Sequence, residues 1–186
     1  MSDIIVQKFG GTSVGSDERI SAVAQIIKNA KKDNQVIVVV SAMSGETNRL
    51  INLAKSFGDN PDRREFDALI STGEKVSASL LAMALNSIGV KAKSFSASQI
   101  SMKTTGHHSK AKIIDVDGEK ILATLNDDIV PIITGFQGVT ESGDVTTLGR
   151  GGSDTTAVAI AAHVNATRCD IYTDVDGIYT TDPRVV

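Results

Sequence analysis

The sequence predicts an α/β fold: a three-layer α/β/α sandwich with a mainly parallel central sheet. Two observations carry that expectation. β-rich runs and helical stretches alternate along the chain, the order of a sheet built from βαβ units. The runs Gln35-Val36-Ile37-Val38-Val39-Val40 and Ile129-Val130-Pro131-Ile132-Ile133-Thr134 are apolar at almost every position. An unbroken apolar run suits a parallel strand covered on both faces, whereas a half-exposed strand alternates.

The elements follow in order. Ile4-Ile5-Val6-Gln7 is a short β-rich run that passes directly into Lys8-Phe9-Gly10-Gly11-Thr12-Ser13-Val14-Gly15. Ser16 is a good helix N-cap, and Asp17 and Glu18 sit in a first turn where the helix dipole favours acids. Ile20, Val23, Ile27 and Ala30 recur at helical spacing, so residues 17–32 are expected to form an amphipathic helix. The strand at 35–40 completes a βαβ unit, whose crossover should be right-handed. Helices are expected near 47–57 and 62–72. A third should run from Glu74 to Ser87, with Val76, Leu80, Leu81, Met83, Ala84 and Ile88 on its apolar side and Gly89 ending it. Val90 to Phe95 reads as a strand, and Ser101 to Lys112 as an exposed polar excursion with two adjacent histidines. Lys112 to Val116 is a further strand and Glu119 to Leu125 a helix. Pro131 weakens one ladder position of its strand. Asp170-Ile171-Tyr172-Thr173 is a final short strand.

Bulk numbers narrow the class. A chain of 186 residues with 41% hydrophobic and 22% charged content can bury a real core. With 19 basic against 22 acidic residues and 4% aromatics, nucleic-acid binding is not expected. The start, Met1-Ser2-Asp3, lacks the basic and apolar regions of a signal peptide, and no apolar run approaches bilayer length. The lone Cys169 cannot form an internal disulfide and reads as a small buried hydrophobe. A cytoplasmic protein without membrane contact is the expectation.

The chemistry gathers in loops that follow strands, where open parallel sheets place their ligands. Thr146-Thr147-Leu148-Gly149-Arg150-Gly151-Gly152-Ser153-Asp154-Thr155-Thr156 leads into a small-residue helix. Its glycines allow close backbone approach, Ser153 and Asp154 can cap the helix, and Arg150 offers a fork suited to a carboxylate or a phosphate. Taken alone, the stretch is either an anion-handling loop or a glycine-rich turn that caps a helix. Lys8, before Gly10-Gly11, is either a point charge beside backbone amides or a solvated lysine at a strand end. Glu74, after Ser71-Thr72-Gly73, reads alone as a first-turn helix acid, and Asp174 and Asp182 as turn residues beside Gly177 and Pro183.

Familiar alternatives fail. There is no Gly-Lys pair, hence no phosphate-binding loop of the G-x-x-x-x-G-K type. Gly149-Arg150-Gly151-Gly152-Ser153-Asp154 has an aspartate where a dinucleotide fingerprint needs its last glycine. A calcium loop around Asp174 and Asp176 would need Tyr172 as its first ligand and Pro183 as its twelfth. His107 and His108 are adjacent and cannot make a spaced zinc pair, so no resident metal site is expected.

Six motifs then stand in a recognisable order. Lys8-Phe9-Gly10-Gly11-Thr12-Ser13-Val14 closely resembles the opening signature of the aspartokinases, within the amino-acid kinase superfamily. Ser41-Ala42-Met43-Ser44-Gly45-Glu46-Thr47-Asn48, Ser71-Thr72-Gly73-Glu74, Gly135-Phe136-Gln137-Gly138 and Thr147 to Asp154 match in turn. Thr173-Asp174-Val175-Asp176-Gly177-Ile178-Tyr179-Thr180-Thr181-Asp182-Pro183-Arg184 closes the series. The resemblance covers the whole chain. It implies ATP-dependent phosphorylation of the L-aspartate side-chain carboxylate, the first step toward lysine, threonine and methionine. Lys8 and Asp154 would be the catalytic pair, with Lys8 neutralising the transferring phosphoryl group and Asp154 orienting the lysines. Ser41, Thr47, Glu74, Arg150 and Ser153 would hold aspartate, Glu74 by its α-ammonium and Arg150 by its α-carboxylate. Lys8, Phe9, Gly10, Gly11, Ser41, Gly152, Thr173, Asp174, Tyr179, Asp182 and Arg184 would surround ATP, whose phosphates would hold Mg2+. Residues 1–186 would be the N-terminal portion of the catalytic domain, incomplete at its C-terminal end, without the regulatory ACT domains that family members carry further on. Pairing as a homodimer is also implied. The alternatives are another carboxylate-phosphorylating amino-acid kinase, or a non-catalytic fragment that binds ligand or partner only.

Overall fold

The structure, a computed structural model, describes residues 2–173. The chain runs β1 (Asp3–Phe9), α1 (Asp17–Ala30), β2 (Asn34–Val40), α2 (Glu46–Lys55), α3 (Arg63–Ile70) and α4 (Thr72–Ser87). It continues through β3 (Ala92–Phe95), β4 (Lys103–Thr104), β5 (Ile113–Asp115), α5 (Gly118–Asn126) and β6 (Val130–Thr134). The remaining elements are β7 (Gln137–Val139), β8 (Val145–Thr147), α6 (Gly152–His163) and β9 (Arg168–Tyr172).

Five strands make the main sheet, in the order β3-β6-β2-β1-β9 and all parallel. The unbroken apolar runs have the expected cause. Along β2, Val36, Val38 and Val40 enter a core with Ile20, Val23 and Ile27 of α1 and Leu81 and Leu85 of α4. Ile37 and Val39 enter a second core with Ile121 and Leu125 of α5 and Ala157 and Ile160 of α6. A strand with helices on both faces must be apolar at both parities, and that makes the three layers. Pro131 is tolerated in β6 because the ladder to β2 starts one residue later, at Ile132.

Three expectations are corrected. Residues 101–112 are not an exposed excursion: Met102, Thr104 and Ala111 are buried. They contribute to a second sheet, β5-β4-β7-β8, that mixes antiparallel and parallel pairs. On α4, Val76 and Met83 face outward, 45% and 59% exposed, because the small side chains Ser77, Ala78 and Ala82 let the other face pack closely. Cys169 is only partly buried, at the edge of the second core.

Ser71 keeps helical torsions (φ −66°, ψ −12°), so α3 and α4 continue as one rod of 25 residues, Arg63–Ser87. By length and composition alone this rod could cross a membrane, yet half of its apolar window is buried inside the protein, as in the core helix of a globular fold. Its buried stripe runs Asp67, Ile70, Ser71, Glu74, Ser77, Ala78, Leu81, Leu85, at helical spacing. The polar end of that stripe lies toward the site.

Candidate active site

Loops at the carboxyl ends of β1, β2 and β6 and the first turns of α2, α4 and α6 enclose one open cleft of 360 Å³. Four of its wall residues can carry charge: Lys8, Glu74, Arg150 and Asp154.

Lys8 reaches the cleft through strand parity. Ile5 and Phe9 point into the α1–α4 core and Val6 to the opposite face, so Lys8 emerges on the α6 side at the strand's end. There its Nζ pairs with Asp154 Oδ1 at 2.6 Å. The lysine is 7% exposed as a residue, whereas the Asp154 side chain is 49% exposed. Contrary to the expectation from the sequence, neither Ser153 nor Asp154 caps α6. The N-cap is Gly151, in a left-handed conformation (φ 74°), which places Ser153 and Asp154 inside the first turn.

Glu74 is held at the first turn of α4, where its Oε1 accepts a hydrogen bond from the Ala42 N–H at 3.1 Å. Oε2 is buried with no partner among the described residues. Burial raises the carboxyl pKa to about 7, and the Ala42 bond offsets part of the rise. A carboxylate with one unused oxygen in a site that disfavours its charge is suited to receive a cation. The close approach of α4 needs a glycine, since a Cβ on Gly73 would lie 2.8 Å from Ala42 Cβ. The neighbouring loops are packed as tightly. A Cβ on Gly11 would stand 2.7 Å from the Ala42 carbonyl oxygen, and Ser44 N–H donates to Gly11 O at 3.1 Å. Gly11→Ala should therefore force the β1 and β2 loops apart and destabilise the protein by about 1–3 kcal/mol. A urea midpoint equal to wild type would contradict that packing.

Arg150 is exposed on the loop between β8 and α6 and has no ion-pair partner among the described residues. The loop rests on Phe136, whose carbonyl accepts from Leu148 N–H at 2.9 Å and whose own N–H donates to Thr156 Oγ1 at 3.2 Å. Phe136 takes a left-handed conformation (φ 70°), uncommon for a bulky residue and held here by those bonds.

The model of the amino acid kinase family matches residues 3–186. The chain belongs to the amino acid kinase family. Over 184 residues it is 56% identical to an aspartate kinase of Pseudomonas putida and 55% identical to an aspartokinase of Geobacillus stearothermophilus. Each match covers 98% of this chain but 45% of the relative, so the chain spans about half the length of the curated relatives it matches. Among solved structures, E. coli aspartokinase III in complex with aspartate and ADP matches with a TM-score of 0.88 and 30% identity, over 99% of this chain and 52% of that one.

Of the residues singled out from the sequence, Lys8, Gly11, Ser41, Thr47, Glu74, Arg150, Gly152, Ser153 and Asp154 line the one cleft. Phe9 is not on the wall. Its ring is fully buried and stacks on Tyr172 at 4.5 Å, because an odd-numbered position of β1 faces the helices α1 and α4. Gly10 lies behind the cleft, its N–H donated to the Tyr172 carbonyl at 3.1 Å and so not free for a ligand. Gly11 N–H has no such partner among the described residues. Thr173 is exposed at the end of the described chain, and Asp174, Tyr179, Asp182 and Arg184 lie outside the described residues. Sequence reasoning did not single out Met43, Ser44, Gly45 or Phe136, which also line the cleft. The first three are part of a motif already noticed. Phe136 also lies in a motif, Gly135 to Gly138, but nothing in the sequence marks it as left-handed.

Proposed function

We propose that these residues form part of an amino-acid kinase catalytic domain that acts as an aspartate kinase, transferring the γ-phosphoryl group of ATP to the side-chain carboxylate of L-aspartate. The observation that carries this reading is the pairing of unused charges in one cleft. Among the described residues, Arg150 is a cation without an ion-pair partner, and Glu74 is a buried carboxylate with one oxygen unbonded. A zwitterionic amino acid supplies the complement of both: its α-carboxylate for the Arg150 fork, its α-ammonium for Glu74. Thr47 and Ser153 add hydroxyls on the same wall. The high identity to relatives named aspartate kinase and aspartokinase, and the aspartate and ADP in the E. coli enzyme, support the choice of substrate.

In this reading Lys8 neutralises charge on the group in transfer, with Gly11 and Ser41 on the same cleft wall. The attacking carboxylate oxygen forms the new P–O bond, and the bond from γ-phosphorus to the bridging oxygen breaks, leaving ADP. Asp154 orients Lys8 and is not a base, since the substrate carboxylate is already ionised at neutral pH. Magnesium, held by the nucleotide's phosphates, would add further charge neutralisation. Thr173, Asp174, Tyr179, Asp182 and Arg184 would complete the nucleotide side.

Hydroxylamine trapping tests the reading. The complete enzyme with ATP should give hydroxamate with L-aspartate and little with L-glutamate. No aspartate-dependent hydroxamate would sink the proposal, and an equal yield from glutamate would point to a different carboxylate substrate.

A further inference from the structure

The described residue that accepts the most hydrogen bonds from other segments is not on the cleft wall. Asp67, on α3, is fully buried, and both of its oxygens are used. Oδ2 accepts from the Ser109 N–H at 2.8 Å and the Thr147 N–H at 2.9 Å, and lies 3.1 Å from His108 Nδ1. Oδ1 accepts from the Thr147 hydroxyl at 2.8 Å and the Ser109 hydroxyl at 3.1 Å. A buried carboxylate is costly unless its lone pairs are filled, and here they are filled from two separate segments.

Those segments are the ones that hold Arg150. Thr147 ends β8, three residues before the arginine. Ser109 supports the loop from beneath, its carbonyl oxygen 3.4 Å from where a Cβ on Gly149 would sit. Ala111 N–H also donates to Thr147 O at 2.9 Å, closing the arrangement. Asp67 and Glu74 share one helical rod and one face of it. Seven residues separate them, about 10 Å along the axis. One rigid element therefore presents the carboxylate for the ammonium and clamps the loop that presents the arginine.

We propose that Asp67 is a positioning residue for the amino-acid substrate: it fixes the Arg150 loop relative to Glu74. The proposal rests on Arg150 as the residue that takes the substrate's carboxylate. Asp67→Asn is the informative change. Its amide oxygen can face the two backbone N–H groups while its NH2 faces hydroxyls that can turn to accept, so the shape is kept but the hydrogen bonds that hold the loop are weakened.

The experiment is a double-mutant cycle in the complete enzyme, with aspartate and ATP affinities measured separately. Arg150→Ala alone should weaken aspartate binding about 10- to 100-fold. Asp67→Asn alone should weaken it about tenfold and leave ATP affinity within about twofold. On the Arg150→Ala background, Asp67→Asn should cost less than about twofold more, because its effect passes through the arginine. Equal costs on both backgrounds, or a parallel loss of ATP and aspartate affinity, would show a merely structural residue and overturn the proposal alone. No effect of Arg150→Ala on aspartate would overturn the reading of Arg150, and the proposal with it. If Asp67→Asn does not fold, Ser109→Ala removes only the 3.1 Å hydroxyl bond. It should show the same pattern at about two- to threefold, and an unchanged aspartate affinity there counts against the clamp.

Discussion

Lys8→Ala should lower kcat of the complete enzyme about 10²–10³-fold, the scale on which loss of one preorganised electrostatic group acts. The expectation follows from where the charge sits. Lys8 is 7% exposed at a strand end, so water screens it little, and its place is fixed by β1 on one side and Asp154 on the other. Stability should respond far less. Asp154 is half-exposed and returns to water when its partner is lost, so unfolding should shift by no more than about 1 kcal/mol. Steady-state kinetics beside thermal unfolding separates the two. A kcat within a few-fold of wild type would remove Lys8 from the transfer step.

Glu74→Gln should move binding and stability in opposite directions. Loss of the carboxylate should weaken aspartate binding by about 10²-fold, as removal of one partner from a desolvated ion pair does. The free protein should nevertheless become more stable at pH 8. Glu74 has a folded pKa of about 7, raised by burial from 4.5. Well below pH 4.5 the group is neutral in both states and costs nothing. As pH rises from 4.5 to 7 the unfolded chain ionises first, so stability falls, levelling off above 7 at a loss of about 3 kcal/mol. Glutamine is spared that loss, so its unfolding midpoint should exceed wild type at pH 8 and converge on it near pH 4. The same titration enters binding. If only the ionised form accepts an ammonium group, aspartate affinity without nucleotide should improve about tenfold between pH 6 and pH 8. The glutamine variant should show no such slope. Calorimetric titration of aspartate at both pH values decides it, and a wild-type affinity flat in pH would remove Glu74 from the ammonium site.

The fold was legible because β2 is apolar at both parities, which few arrangements other than a doubly covered strand explain. Much of the cleft was legible as well, because its loops are short and carry glycines, hydroxyls and isolated charges just after strands. What escaped depends on pairing over long separations. Residues 101–112 are mostly polar, and only their register with β7 and the contacts of Thr104 and Met102 show them to be built in. Asp67 lies in a short helix where an acid normally faces solvent, yet its spacing from Ile70, Ser71 and Glu74 already placed it on the buried stripe. The exposure of Val76 and Met83 teaches the converse: on a small-residue helix the close-packed face need not be the most hydrophobic one.

The pairing of β1 has a consequence for assembly. Its first neighbour, β2, comes within a few dozen residues, but its other neighbour is β9, with Phe9 opposite Tyr172. During synthesis at about 5–20 residues per second, that edge waits on the order of ten to thirty seconds for its partner. The part of the cleft made by Lys8, Ala42 and Glu74 can be in place early, since it needs only the first half of the chain. The Arg150 loop and the Lys8–Asp154 pair come only with the second half. A nascent chain therefore carries an exposed edge strand, and the groups proposed for the ammonium, well before it gains the arginine.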